Sequence, residues 1–180
     1  MQMIQFRPMK RFFILLVGLV LVGCGALPLR LSLDNLNLTI PLVAYTNGNV
    51  IYPKNPSVFN QPPINISSVK LEGKANASNV FADVNVFLHA RTTNPSLDGN
   101  CTSYTDFIIC PKAGQIKINS SALSLASTGA KRAFAFDDAS SVLRDGVNAG
   151  KIWVGLEVAS GAAANMGLQL SELVASVTIF

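Results

Sequence analysis

From Val80 to Thr92 the chain alternates. Val80, Ala82, Val84, Val86, Leu88 and Ala90 fall on one side, and Phe81, Asp83, Asn85, Phe87, His89 and Arg91 on the other. A period of two sends successive side chains to opposite faces of a strand, so this stretch predicts one long, half-buried strand. The pattern recurs along the chain. In "LRLSLDNLNLTI", Leu29, Leu31 and Leu33 occupy odd positions and Leu36, Leu38 and Ile40 even ones, so a turn or bulge near Asp34-Asn35 must reset the faces. Asn47-Gly48 in "VAYTNGNVIY" carries the hairpin signature, because a tight I′ turn needs positive φ at both central residues.

Further strands are expected at "INISSVKLEG", Gln115 to Asn119, Ala122 to Ala126, Lys131 to Phe136, "KIWVGLEVA" and "ELVASVTIF". Pro53, Pro56, Pro62 and Pro63 predict an irregular connection, since proline donates no ladder hydrogen bond. "SGAAANMG" reads as a small-residue loop. "DDASSVLRDG" is the one helix candidate, with Asp137 or Asp138 as cap, Val142 and Leu143 packing down, and Gly146 ending it. About nine strands, closely spaced turns and almost no helix predict an all-β chain: a single antiparallel β-sandwich of immunoglobulin-like type, with about 7–9 strands and at most one short helix, over residues 29–180. "VNVFLHARTTNPS", Val84 to Ser96, resembles a strand of the late-embryogenesis-abundant type 2 sandwiches, in which Asn-Pro follows an alternating strand. The resemblance covers those residues alone and implies a sandwich.

Ahead of the strands lies a different segment. Arg7, Lys10 and Arg11 precede eleven residues of hydrocarbon and glycine, Phe12 to Val22. A bilayer-spanning helix needs about 20 apolar residues, so the shorter run fits the core of an export signal. Leu21-Val22-Gly23-Cys24 resembles the lipobox of bacterial lipoproteins. The resemblance implies a diacylglycerol on the Cys24 thiol, cleavage just before it, and further acylation (palmitate or similar) of the new amino end. Residues 1–23 are then a signal peptide and residues 24–28 a lipidated tether. Each buried CH₂ of such a lipid contributes about 0.8 kcal/mol to membrane binding. Gly25 stands where an aspartate would favour the inner membrane, which implies the outer membrane or cell surface of a bacterial envelope.

Removing that segment changes the electrostatics. The whole chain has 14 basic and 10 acidic residues, a net +4; without Arg7, Lys10 and Arg11 it has 11 against 10, about +1. No basic patch remains to suggest nucleic acid. The longest runs of like charge are the pairs Lys131-Arg132 and Asp137-Asp138.

Cys101 and Cys110 bracket "TSYTDFII", and in an exported chain such a pair predicts a disulfide. Closing a loop of about ten residues stabilises by roughly 2–3 kcal/mol. A metal site would need two more soft ligands, and the chain has one histidine and no CxxC, so no metal or other cofactor is expected. Cys24 is then the odd cysteine, and lipidation gives it a separate fate.

Catalytic signatures are sparse. His89, expected as a surface or partly covered strand residue, is the one natural general base, and no Gly-x-Ser-x-Gly elbow accompanies it. Asp137-Asp138, or Asp83 with Asp106, could form a carboxylate pair. Asp98, Asp137, Asp138 and Asp145 fall in loops without calcium-loop spacing. Phe134, Phe136 and Trp153 form a candidate contact surface for a partner or lipid, against a second buried face as the alternative. The expected function is a membrane-anchored, non-catalytic envelope lipoprotein with a structural or binding role toward another envelope component. The alternatives are a small exported hydrolase and a carrier of apolar ligands with a pocket between its sheets.

Overall fold

The computed structural model describes residues 29–32, 35–42, 47–58, 60–137, 141–161 and 163–179. The expected signal segment, Cys24 and the tether lie outside them. The elements are β1 (Leu29–Ser32), β2 (Leu36–Leu42), β3 (Asn49–Pro53), β4 (Ser57–Val58), β5 (Ile66–Val80), β6 (Val84–Arg91), β7 (Thr102–Ser103), β8 (Phe107–Pro111), β9 (Ile116–Lys117), β10 (Leu123–Leu125), β11 (Arg132–Asp137), α1 (Val142–Ala149), β12 (Lys151–Ser160) and β13 (Ala163–Ile179). A 3₁₀ turn covers Pro95–Leu97.

The strands form two antiparallel sheets. One has the order β1-β13-β5-β11, with β2 also on β13; the other runs β10-β6-β12-β3-β8-β7, with β4 on β12 and β9 on β6. Their inner faces share one core. Val69, Ala75, Leu168 and Leu170 come from the first sheet, and Val84, Val86, Leu88 and Leu156 from the second. This is an all-β, sandwich-like fold with one α-helix among the described residues. The strands outnumber the expected nine because β4, β7 and β9 have two residues each and β10 has three, too short to leave a periodic signal.

Several local expectations are corrected. The run from Val80 to Thr92 is two strands: β5 ends at Val80 and β6 starts at Val84. Asn79 takes φ 57°, Phe81 points into solvent at 78% exposure, and the Asp83 carboxylate accepts hydrogen bonds from Ser127 N and Oγ. The reversal preserves the alternation, so periodicity alone cannot see it. The longest strand is β13, which absorbs most of the small-residue stretch expected as a loop. Small side chains suit it: a Cβ at Gly167 would lie 2.6 Å from Ser78 Oγ.

The Asn47-Gly48 turn forms, with Gly48 at φ 72°, and the first arm of its expected hairpin, residues 43–46, lies outside the described residues. β2 belongs to the first sheet, whereas β3 pairs with β8 and β12 in the second. In α1, Gly146 lies inside the helix instead of ending it; a Cβ there would meet Ile152 Cδ1 at 2.8 Å. Gly150 at φ 67° ends the helix, its N–H returning to the Gly146 and Val147 carbonyls. Ser141 occupies the N-cap, not Asp137 or Asp138, and residues 138–140 lie outside the described ones.

The reset of faces after β1 has a matching counterpart. Ser32 pairs with Val174 and Leu36 with Leu170, so three residues on each strand separate the two segments. On β13 the buried set switches from Leu168 and Leu170 to Leu173, Ala175 and Val177. Glu172, at φ 53°, makes the switch, and the β13–β5 register shifts between Ser171 and Val174. Gly73 of β5 receives the bulge: a Cβ there would stand 2.9 Å from Leu173 Cδ2, 3.0 Å from Phe134 Cζ and 3.0 Å from Ser171 O.

Candidate functional site

Strand alternation sends Val50 and Tyr52 of β3 to the outer face of the second sheet, while Ile51 joins the inter-sheet core. On that outer face Val50, Tyr52, Ile108, Cys110 and Trp153 form a small second core, with Cys101 packed against it. The sulfurs of Cys101 and Cys110 lie 2.04 Å apart, at disulfide distance. Gly155 makes room for this cluster, since a Cβ would stand 2.5 Å from Tyr52 Cε1 and 2.6 Å from Val50 Cγ1. Arg91 Nη1 pairs with Asp98 at 3.3 Å and its guanidinium lies 6.0 Å from the Tyr52 ring centroid. The Asn100 N–H and Arg91 hold the Asp98 carboxyl below its ordinary range.

His89 faces the same way but is fully covered, at 2% exposure, contrary to the expected surface or partly covered position. β9 pairs along this part of β6 and sets Lys117 opposite His89. Nε2 of His89 lies 3.0 Å from Glu157 Oε2, and Lys112 Nζ lies 3.4 Å from Glu157 Oε1. Burial pushes the imidazole below its ordinary pKa, against the opposing pull of Glu157. Burial pushes the Glu157 carboxyl upward, but the hydrogen bonds and charges of His89 and Lys112 outweigh it and leave the group below its ordinary range. A neutral His89 donating from Nε2–H to an ionised Glu157 satisfies both shifts. Nδ1 makes no well-formed hydrogen bond, and the Gln115 backbone, the ring's other polar neighbour, acts with Glu157 against the effect of burial.

A histidine oriented by a carboxylate is half of a nucleophile-activating relay. Here the ring has no hydroxyl or thiol partner among the described residues, and it opens onto none of the clefts described below. Of the other candidate carboxylates, Asp83 is engaged with Ser127, and Asp145 with Ser141 and Arg144. Among the described residues no three metal-ligating side chains gather. Asp138 lies outside them.

Phe134, Phe136 and Trp153, the candidate contact surface, are buried at 8%, 4% and 5% exposure. This corrects that expectation: both phenylalanines point inward from β11, stacked with centroids 4.5 Å apart, and Trp153 packs under the disulfide segment. A second buried face takes the surplus of aromatics.

What the sheets leave between them is a cavity of about 270 Å³. Val69 and Leu173 wall it from the first sheet, Leu88 and Val154 from the second, and Leu143 of α1 from one end. Asn35 and Val58 are its exposed lining residues and mark the opening, with the Ser57 hydroxyl beside them. Among the described residues no ionisable side chain lines it. Since a cavity of about 150 Å³ holds one benzene, this one holds roughly eleven carbon atoms by proportion. It lies below the range of about 300–1,000 Å³ of drug-sized ligand sites. Sequence reasoning named a pocket between sheets but not its residues. β4 and α1 help to enclose it, and their placement depends on partners remote in sequence. Compared with known proteins, the chain matches no protein-family model and no curated protein sequence.

Proposed function

We propose that this protein is a lipid-anchored component of the bacterial envelope with a binding, non-catalytic role, and that its ligand is an apolar group held between the sheets. The anchor rests on the lipobox-like residues ending at Cys24. The single observation that carries the binding role is the inter-sheet cavity, lined among the described residues by no ionisable side chain. The described lining offers no acid or base to activate the Ser57 hydroxyl, but it removes apolar surface from water at roughly 25 cal/mol per Å². Asn35 and Ser57 offer hydrogen bonds to a polar end at the opening.

The test uses the full chain in vesicles with a photoactivatable ten-carbon alcohol as probe. Adducts should map to cavity-lining peptides, and Val147→Phe, which places a ring in the cavity, should reduce them. Even labelling over the whole surface would overturn the reading. A hydrolase is the weaker reading, favoured by the His89–Glu157 pair alone; hydrolysis of an ester panel that disappears in His89→Ala would revive it.

A further inference from the structure

Among the described residues β11 pairs with β5 alone, and none of them pairs with its other edge. Open strand edges are usually blunted by shortness, proline, inward charges or bulges. The other outer strands here follow that rule: β2 carries Pro41, and β1, β7 and β10 have at most four residues. β11 does not. It has six residues, no proline or glycine, and an uncharged centre, Ala133–Phe136. A groove of about 560 Å³ runs beside it, bounded on the far side by residues 119–124. Among the described residues no strand pairs along that edge, although β10 approaches β11 nearby.

The sequence around β11 specifies which strand suits it. Lys131-Arg132 stands at its start and Asp137 at its end, with Ala-Phe-Ala-Phe between. In an antiparallel pairing of β11 with itself, the basic end of each copy meets the acidic end of the other. A two-fold axis perpendicular to the sheet must centre the pairing on a residue if the buried faces are to match. Centring on Phe134 places Lys131 opposite Asp137 of the second copy, twice in the dimer. We propose that β11 is an interface edge that pairs antiparallel with β11 of a second copy of this chain, joining the two first sheets into one.

Lys131 already lies 3.7 Å from Glu172 in its own chain, both groups half exposed, so it is free to share or exchange that partner at little cost. A six-residue strand pair falls short of the roughly 1,000 Å² of a persistent interface, so the dimer forms with rising concentration.

Two differently tagged populations of the full chain, mixed in detergent micelles over a concentration series, test this. Wild-type copies should co-purify. Lys131→Glu or Asp137→Lys, each mixed with itself, should reduce capture about tenfold, because like charges then face each other at both ends. Mixing Lys131→Glu with Asp137→Lys should restore it, since both pairs are again of opposite sign; misfolded variants would not be rescued this way. Wild-type copies that stay apart, single variants that co-purify like wild type, or a mixture without rescue would each overturn the proposal.

Discussion

Nε2 of His89 lies 3.0 Å from Oε2 of Glu157, and the pair is almost fully enclosed between β6, β9 and β12. The groups facing it are Lys112 from the turn after β8, Lys117 from β9 and the Gln115 backbone between them. This gives the protein a built-in acid sensitivity. His89 is held below its ordinary pKa of about 6.5, so the unfolded chain takes up the proton first and stability falls as pH drops below about 6.5. Glu157, also held low, contributes stability that is present above its unfolded value and lost as pH falls through its folded one. Urea midpoints measured from pH 8 to pH 4 should decline in that order. His89→Gln should flatten the upper part of the decline, and an unchanged profile would remove His89 as its cause.

Removing one member of the pair should cost more than its surface ion pairs suggest. Glu157→Leu leaves His89 Nε2–H and Lys112 without their acceptor, at a cost of about 1.5–3 kcal/mol for a hydrogen bond to a charged group. Lys70→Ala, which breaks the exposed Lys70–Glu72 contact of 2.8 Å, should cost under about 1 kcal/mol. Chemical denaturation of the two variants compares them directly.

Gly155→Ala should destabilise by about 1–3 kcal/mol through overpacking, because Tyr52 and Val50 occupy the space of the new methyl. Tyr52→Leu in the same chain should recover part of that loss. The double-mutant cycle reports the coupling, and additive effects would show that the clash is not the cause.

Replacing Cys101 and Cys110 by serine should lower stability by roughly 2–3 kcal/mol. Because Trp153 packs in the cluster containing Cys110, its fluorescence should shift to longer wavelength before the main transition. A single coincident transition would mean that the loop and the sandwich unfold as one.

Intact-mass analysis of membrane-extracted protein should show a chain starting at Cys24 and carrying acyl groups. A start at another residue would remove the anchor from the proposed function.

Much of the sandwich was legible because one wet and one dry face leave a period of two. Ile152, Val154, Leu156 and Val158 read as one face of β12, and all four are buried. The same logic misses what depends on remote partners. The turn at residues 81–83 keeps the alternation and so hid inside it. The burial of His89 depends on β9, a two-residue strand with no periodic signal of its own. Trp153 and Glu157 lie on the outer face of β12 yet are buried as well, since the outer face of the second sheet is also covered. A one-strand pattern cannot show the cover. The cavity is the extreme case, because its lining spans residues 35 to 175 and exists only when both sheets and α1 are in place.

The bulge at Glu172 and the break between β1 and β2 also restrict how this chain can change in length. From β1 to β2 the even-numbered positions pass from exposed Arg30 and Ser32 to covered Leu36 and Leu38, at the level where β13 switches its buried set, and the pairing continues past both. A single-residue deletion in either strand would turn the rest of that strand inside out against its neighbour. Compensating deletions in both would keep the two faces in step. The first and last described strands, 140 residues apart between Ser32 and Glu172, are therefore bound to vary together in length.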